Sequence, residues 1–230
     1  MIEEPPLIRL LTSGSRNRPV PEQISAFEGV QTGMICDAMN GSGALDARIK
    51  PLPGVPMQMV GPALTADCGP ADIMALLCVL DEVTPGDVIV STVAGHQACA
   101  AVGDMVAGQA KNGGAAGIVT DGPARDIKGI RDVGLPVFAT GLTPNSPMNK
   151  GPGLVGHPIN IGGRHVESGD MVIGDEDGVV IVPFAQIDAV IAQLDNVRAA
   201  EAKREAEVKN GLVAPDGIKA LMRSTQTQRT

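Results

Sequence analysis

Aromatic side chains are almost missing from this sequence: three phenylalanines, Phe27, Phe138 and Phe184, and neither Trp nor Tyr in 230 residues. Proteins that hold single-stranded nucleic acid stack bases on aromatic platforms, so that class is excluded, together with aromatic cages for quaternary ammonium ligands. Positive charge is also short. Eighteen Lys and Arg stand against 26 Asp and Glu, a net charge of −8, which offers no basic surface for phosphates. The four cysteines (Cys36, Cys68, Cys78 and Cys99) form no C-x-x-C and have no His at finger spacing, which argues against a zinc finger or a thioredoxin-type site. No apolar run approaches the roughly 18 residues of a membrane helix. The acidic, proline-broken start does not resemble a secretory signal, so a cytoplasmic location with no membrane partner is expected.

What is present describes a globule. Hydrophobic residues make up 43% and charged residues 19%, far from the composition of disorder. The core must be filled by Val, Ile, Leu, Ala and ten Met, and 29 Gly with 18 Pro imply frequent turns. The length suits one domain. Residues 1–20 read as an arm, 21–184 as an α/β domain, 185–210 as a C-terminal helix and 211–230 as a tail. Helical character begins near Glu22 and resumes over Thr32–Met39, where Thr32 can cap the turn. A strand with a kink at Gly61-Pro62 spans Met57–Asp67, and a compact helix spans Ala71–Val83. Buried strands are expected at Asp87–Val93, Ala115–Thr120 and Pro136–Thr140, with helices around Asp104–Lys111 and up to Val133. This alternation is the signature of an α/β core. Residues 143–163 carry little regular signal, and Met171–Ile173 with Gly178–Val182 read as a hairpin. Ala185–Lys209 is the strongest helix. Ile187, Val190, Ile191, Leu194 and Val197 form its apolar stripe, and a charged second half projects beyond it.

Few motifs survive inspection. Gly151-Pro-Gly153-Leu-Val-Gly156 matches G-x-G-x-x-G, but no helix pattern follows it, and the dinucleotide fingerprint needs a helix N-terminus for the pyrophosphate. His96, His157 and His165 are scattered, and neither H-E-x-x-H nor G-x-S-x-G occurs. His96 follows a buried strand, where ligands bind in α/β folds, yet a lone His more often serves structure. The chemistry concentrates in Gly117-Ile-Val-Thr-Asp-Gly-Pro-Ala-Arg-Asp126, which presents Arg125 and Asp126 beyond the end of a strand. A guanidinium suits a carboxylate or enolate oxygen, and a carboxylate suits a hard cation; a plain salt bridge is the competing reading. Upstream, Gly103-Asp-Met-Val106 opens a helix whose free amides can bind an anion. Asp104 there would repel a carboxylate unless a cation lay between, and magnesium fits a site with one or two carboxylates.

Taken in order, Gly86-Asp-Val-Ile-Val90, Gly103-Asp104, the 117–126 segment, Leu135-Pro-Val-Phe138 and the Gly169–Pro183 segment resemble a known family. It contains the regulator of ribonuclease activity A and the class II 4-hydroxy-4-methyl-2-oxoglutarate / 4-carboxy-4-hydroxy-2-oxoadipate aldolases. The resemblance covers residues 25 to 210. It implies a swivelling-type β/β/α layered sandwich, assembled as homotrimers or homohexamers with sites between subunits. It further implies Asp126 as the metal ligand, Arg125 on the keto or enolate oxygen, and Gly103, Asp104, Met105 and Val106 holding a pyruvyl carboxylate. Asp104 would reach a water on the metal, Mg2+ or Mn2+. The adjacent subunit's C-terminal helix would donate a glutamate, with Glu201 the best match and Glu205 its competitor.

The activity implied is metal-dependent retro-aldol cleavage of a 4-hydroxy-2-oxo acid to pyruvate, with oxaloacetate decarboxylation by the same enolate chemistry. The alternative is a non-catalytic regulator of the ribonuclease-inhibitor kind, whose acidic balance suits a basic partner. A methyltransferase ranks third, because no strand-led glycine loop is present for a methyl donor.

Overall fold

The computed structural model describes residues 6–228. Along the chain run β1 (Ile8–Leu10), α1 (Pro21–Ser25), α2 (Thr32–Ala38), β2 (Lys50–Pro51), β3 (Met59–Asp67), α3 (Met74–Val79), β4 (Val88–Thr92), α4 (Asp104–Asn112), β5 (Gly117–Thr120) and α5 (Ile127–Val133). They are followed by β6 (Val137–Ala139), β7 (Gly153–Val155), β8 (Ile159–Ile161), β9 (Arg164–Val166), β10 (Met171–Asp175), β11 (Gly178–Val182), α6 (Ile187–Lys209) and α7 (Asp216–Arg223). The main sheet has the order β1-β7-β3-β4-β5-β6-β2, and its centre, β3 to β6, is parallel.

β3 belongs to two sheets. Met59–Pro62 pairs antiparallel with β10, and Ala63–Asp67 pairs parallel with β4, so the partner changes where the sequence places Gly61-Pro62. Gly61 is required there, because a Cβ would sit 2.1 Å from the Gly86 carbonyl oxygen. β10 and β11 form the predicted hairpin.

Alternation sorts the side chains into three cores, because successive strand residues face opposite ways. Ile89, Ile118 and Val137 point to α3, α4 and α5; Val88, Val90, Val119 and Phe138 point the other way, toward Val172, Val179 and Ile181 of the hairpin. The hairpin's outer residues, Met171, Ile173, Val180 and Val182, pack with Phe27, Ile35, Ile187, Val190 and Leu194. The protein is a mixed α/β fold with a central sheet. The expected β/β/α stack is present, with α1, α2 and α6 laid on its open face.

Several local expectations shift. The helix expected from Ala71 begins at Met74, and its last turn tightens to a 3-10 turn over Leu80–Glu82. Thr32 does not cap α2 from its own position; instead both its N–H and its hydroxyl donate to Asp175, at the end of β10, at 2.8 Å. The irregular stretch contains β7 and β8. Near the N-terminus, β1 pairs parallel with β7, and Arg16 and Arg18 bind Glu82 and Asp87 at 3.1 and 2.6 Å. Gly151–Gly156 feeds β7 and then β8 rather than a helix, which rules out dinucleotide geometry at that motif. All four cysteines are free, and no helix among the described residues is long and apolar enough to cross a membrane.

Candidate active site

Three loops leave the carboxyl ends of β4, β5 and β6, the edge where ligands bind in parallel sheets. Beyond the strands the loops stay in register. Single bridges join Val102 to Ala124 and Ala124 to Leu142, and the Arg125 N–H donates to the Val102 carbonyl at 3.0 Å. That register sets Gly103, the residue before α4, beside Arg125.

The first loop is shaped by Asp121. Its buried carboxylate accepts from the Thr92 hydroxyl (2.8 Å), the Val93 N–H (2.7 Å) and the Gly95 N–H (2.9 Å), and Gln97 donates to the Asp121 carbonyl. His96 lies in this loop, where its N–H donates to the Val93 carbonyl.

Gly103, Asp104, Met105, Val106 and Arg125 line one small cleft with Ile73 and Pro147. Its volume is about 60 Å3. The Asp104 and Val106 amides at the start of α4 have no acceptor among the described residues, as expected of a helix N-terminus. The Met105 amide departs from the expectation: it donates to the carboxylate of Asp104 at 2.8 Å.

Asp126 stands at the N-cap of α5 with left-handed backbone, φ 54° and ψ 43°. Such a conformation is uncommon outside glycine, though Asp tolerates it, and it recurs at functional sites. The Asp126 carboxylate meets Arg125 Nε at 3.2 Å. A Cβ on Gly103 would lie 3.4 Å from both Asp126 Oδ2 and Arg125 Cγ, so the glycine leaves the approach to this pair open. Asp104 rests on the same helix end. A Cβ on Gly129, in the first turn of α5, would come within 2.3 Å of Asp104 Oδ2. Two carboxylates therefore bracket the start of α5.

Glu201 is not in this cleft. It lies on the exposed half of α6, whose anchored half packs against α1, α2 and the hairpin on the opposite layer. Among the described residues Glu201 makes no ion pair, whereas Glu205 is held by Lys209 at 2.6 Å.

Sequence reasoning passed over Ser146, which accepts a hydrogen bond from Arg125 Nη1 at 2.6 Å, and Asp72, which fixes the loop bearing it. Neither stands in a motif; each acquires meaning only through the fold. Larger cavities exist, about 300 Å3 beside Glu28 and Asp175 and about 280 Å3 beside Arg9 and Asp67. Neither combines a guanidinium with free helix amides, so the chemistry points to the smaller cleft.

Comparison with known proteins identifies the family. Residues 32–181 match the RraA-like family model, described as Aldolase/RraA. A Halalkalibacterium halodurans protein named "Putative 4-hydroxy-4-methyl-2-oxoglutarate aldolase" is 36% identical, over 83% of this chain and 90% of its own length. The crystal structure of a Streptomyces coelicolor member of the RNase ES inhibitor RraA protein family superposes with a TM-score of 0.72 at 30% identity, covering 82% of this chain and all of that one. An uncharacterized Pseudomonas syringae protein gives a TM-score of 0.73 at 26% identity, covering 86% and 96%. The order of motifs, the sheet and these matches coincide, and the chain belongs to the RraA-like (Aldolase/RraA) family.

Proposed function

We propose that this protein is a divalent-metal-dependent retro-aldolase that cleaves a 4-hydroxy-2-oxo acid to pyruvate and a second oxo acid. The observation that carries the reading is the cleft itself, where the Arg125 guanidinium lies beside the free amides of α4 and the Asp126 carboxylate. Among the described residues no three His, Cys, Asp or Glu gather to enclose a metal. An ion held by Asp126, with Asp104 nearby, would therefore keep several waters, which is the habit of magnesium, with manganese the alternative. Bound there, the ion would polarise the 2-keto group.

The chain's own residues supply the rest. The amides of Asp104 and Val106 hold the substrate carboxylate. When the 4-hydroxyl loses its proton, the C3–C4 electrons pass into the C2–C3 enolate and the C4–O bond becomes a carbonyl. Arg125 stabilises the enolate oxygen as its charge grows. Asp104 passes protons through a water, first from the hydroxyl and then to the enolate carbon. Oxaloacetate decarboxylation passes through the same enolate. Glu201, remote from the cleft of its own chain, completes the site of a neighbouring copy in a trimer or hexamer.

Purified protein with Mg2+ or Mn2+ is expected to release pyruvate from 4-hydroxy-4-methyl-2-oxoglutarate, read by coupling to lactate dehydrogenase, and to stop on chelation. Arg125→Ala should lower kcat/KM by about 100-fold or more without lowering the melting temperature. Absence of pyruvate from every such acid would sink the reading. The ribonuclease-inhibitor relatives then favour the regulator, tested by direct binding to a ribonuclease.

A further inference from the structure

The 143–151 segment between β6 and β7 is a strap tied down on three sides of the cleft. At its start, the Thr143 N–H donates to the Ala124 carbonyl at 2.9 Å. Asn145 clamps the β4 loop twice: its carbonyl accepts from the Ala100 N–H at 2.9 Å, and its Nδ2 donates to the Ala98 carbonyl at 2.8 Å. Met148 exchanges backbone hydrogen bonds with Ala71 and Ile73. At the far end the buried Asp72 carboxylate accepts the Lys150 and Gly151 N–H groups at 2.7 and 3.1 Å, while its other oxygen accepts the Met74 N–H at 2.7 Å. Between these ties sits Ser146, with its Oγ 2.6 Å from Arg125 Nη1.

Arg125 thus meets two groups on its two sides, Nε on Asp126 and Nη1 on Ser146. A long side chain with 37% exposure would otherwise sample many rotamers. Holding it before substrate arrives removes an ordering cost from binding. The Asp126 contact alone leaves the guanidinium plane free to swing about that edge; the second contact fixes the plane. Having accepted from Arg125, the Ser146 hydroxyl keeps its own proton, and no acceptor among the described residues takes it.

We propose that Ser146 is a positioning residue that aims the Arg125 guanidinium into the cleft, and that the strap anchored at Asn145 and Asp72 exists to deliver it. The assignment rests on the retro-aldolase reading for its kinetic consequence, but its structural part is independent of turnover. Ser146 is exposed, so substitution there leaves the core untouched.

The test compares wild type, Ser146→Ala and Ser146→Thr with saturating Mg2+. Ser146→Ala should raise KM and lower kcat/KM about tenfold, the usual effect of losing a hydrogen bond to a charged group, and Ser146→Thr should return both to within about twofold of wild type. In parallel, nitrogen-15 NMR of the arginine side chains, with Arg125 assigned by its loss in Arg125→Lys, should show restrained Nη1 protons that Ser146→Ala releases. If wild type turns over and Ser146→Ala matches it in KM, kcat and the Arg125 signals, the inference is overturned and the reaction stands. If Ser146→Thr fails to restore what Ser146→Ala loses, packing rather than the hydroxyl is responsible, and the inference is again overturned. If wild type releases no pyruvate, the reaction fails, and the NMR result alone upholds or overturns the aiming of Arg125.

Discussion

The core between the two sheets and the cleft at the sheet edge are held together by different forces. Between the sheets, Val88, Val90, Val119 and Phe138 meet Val172, Val179 and Ile181, and stability comes from apolar area removed from water. At the edge, buried carboxylates gather backbone N–H groups: Asp121 binds the β4 loop, and Asp72 binds the strap to the start of α3. The core tolerates its lack of aromatics by using Val and Ile in alternating registers. The edge has no such redundancy, because each carboxylate is the sole side-chain acceptor of the amides it serves. Directional hydrogen bonds position catalytic groups more tightly than a greasy contact does, at the cost of depending on single residues.

Phe138→Ala puts the heaviest strain on the comparison. The ring is fully buried and lies over Gly174, where a Cβ would meet it at 2.8 Å. Its removal should cost about 3–5 kcal/mol in urea unfolding, while the protein that remains folded keeps its KM. A large rise in KM at unchanged stability would show that the two regions are not separable in this way.

A smaller effect separates two carboxylates by pH. Burial alone would raise the Asp72 pKa, but N–H groups of Lys150, Met74, Gly151 and Ile73 hold it below the usual carboxylate value. Burial pushes Asp170 above that value and the Glu167 charge adds to the rise, while the Glu167 and Phe184 N–H groups and the nearby His165 oppose it without offsetting it. The folded state therefore binds fewer protons than the unfolded chain at Asp72 and more at Asp170, so the two contributions have opposite slopes. The stability that Asp72 supplies is present above the ordinary range near pH 4 and fades as pH falls through its depressed pKa. That of Asp170 is complete below this range and fades as pH rises through its elevated pKa. In urea unfolding between pH 3 and 7, the deficit of Asp72→Asn, about 1–3 kcal/mol at neutral pH, should shrink toward acid. The deficit of Asp170→Asn should grow toward acid. Slopes of the same sign would refute the contrast.

At the small end stands the distal half of α6. Glu205→Gln removes the exposed pair with Lys209 and should change stability by less than about 0.5 kcal/mol. A larger loss, dependent on protein concentration, would reveal that this half is buried against another copy.

The apolar core was the part most open to reading from sequence, for a physical reason. The short apolar runs Met171–Ile173 and Gly178–Val182, buried on both faces, and the kink at Gly61-Pro62 are local signals that need no distant partner to be read. β7, β8 and β9 were hidden, because three-residue strands hold no full period; β7 moreover owes its existence to distant partners such as Ile8 and Ala66, whereas β8 and β9 pair with each other across Gly162-Gly163. α7 lay hidden in the segment read as a tail. Gly103, Asp104 and Arg125 of the cleft, and Asp126 beside Arg125, stood in recognisable segments, and the loop register brings them together. Ser146 and Asp72 did not announce themselves, since a serine among prolines and an aspartate near a helix start look like ordinary turn residues.

The strand shared by two sheets has a consequence for how the chain is made. Pro62 finds its partner in Met171, more than a hundred positions later. During synthesis at about 5–20 residues per second, the first half of β3 waits several seconds or more for the segment that will cover it. Throughout that interval Met59 and Val60 present an unpaired apolar edge, the kind of surface that recruits chaperones or other nascent chains. Completion of the fold is thus set by the arrival of one late hairpin, and a chain truncated before residue 171 would keep that edge exposed for as long as it existed.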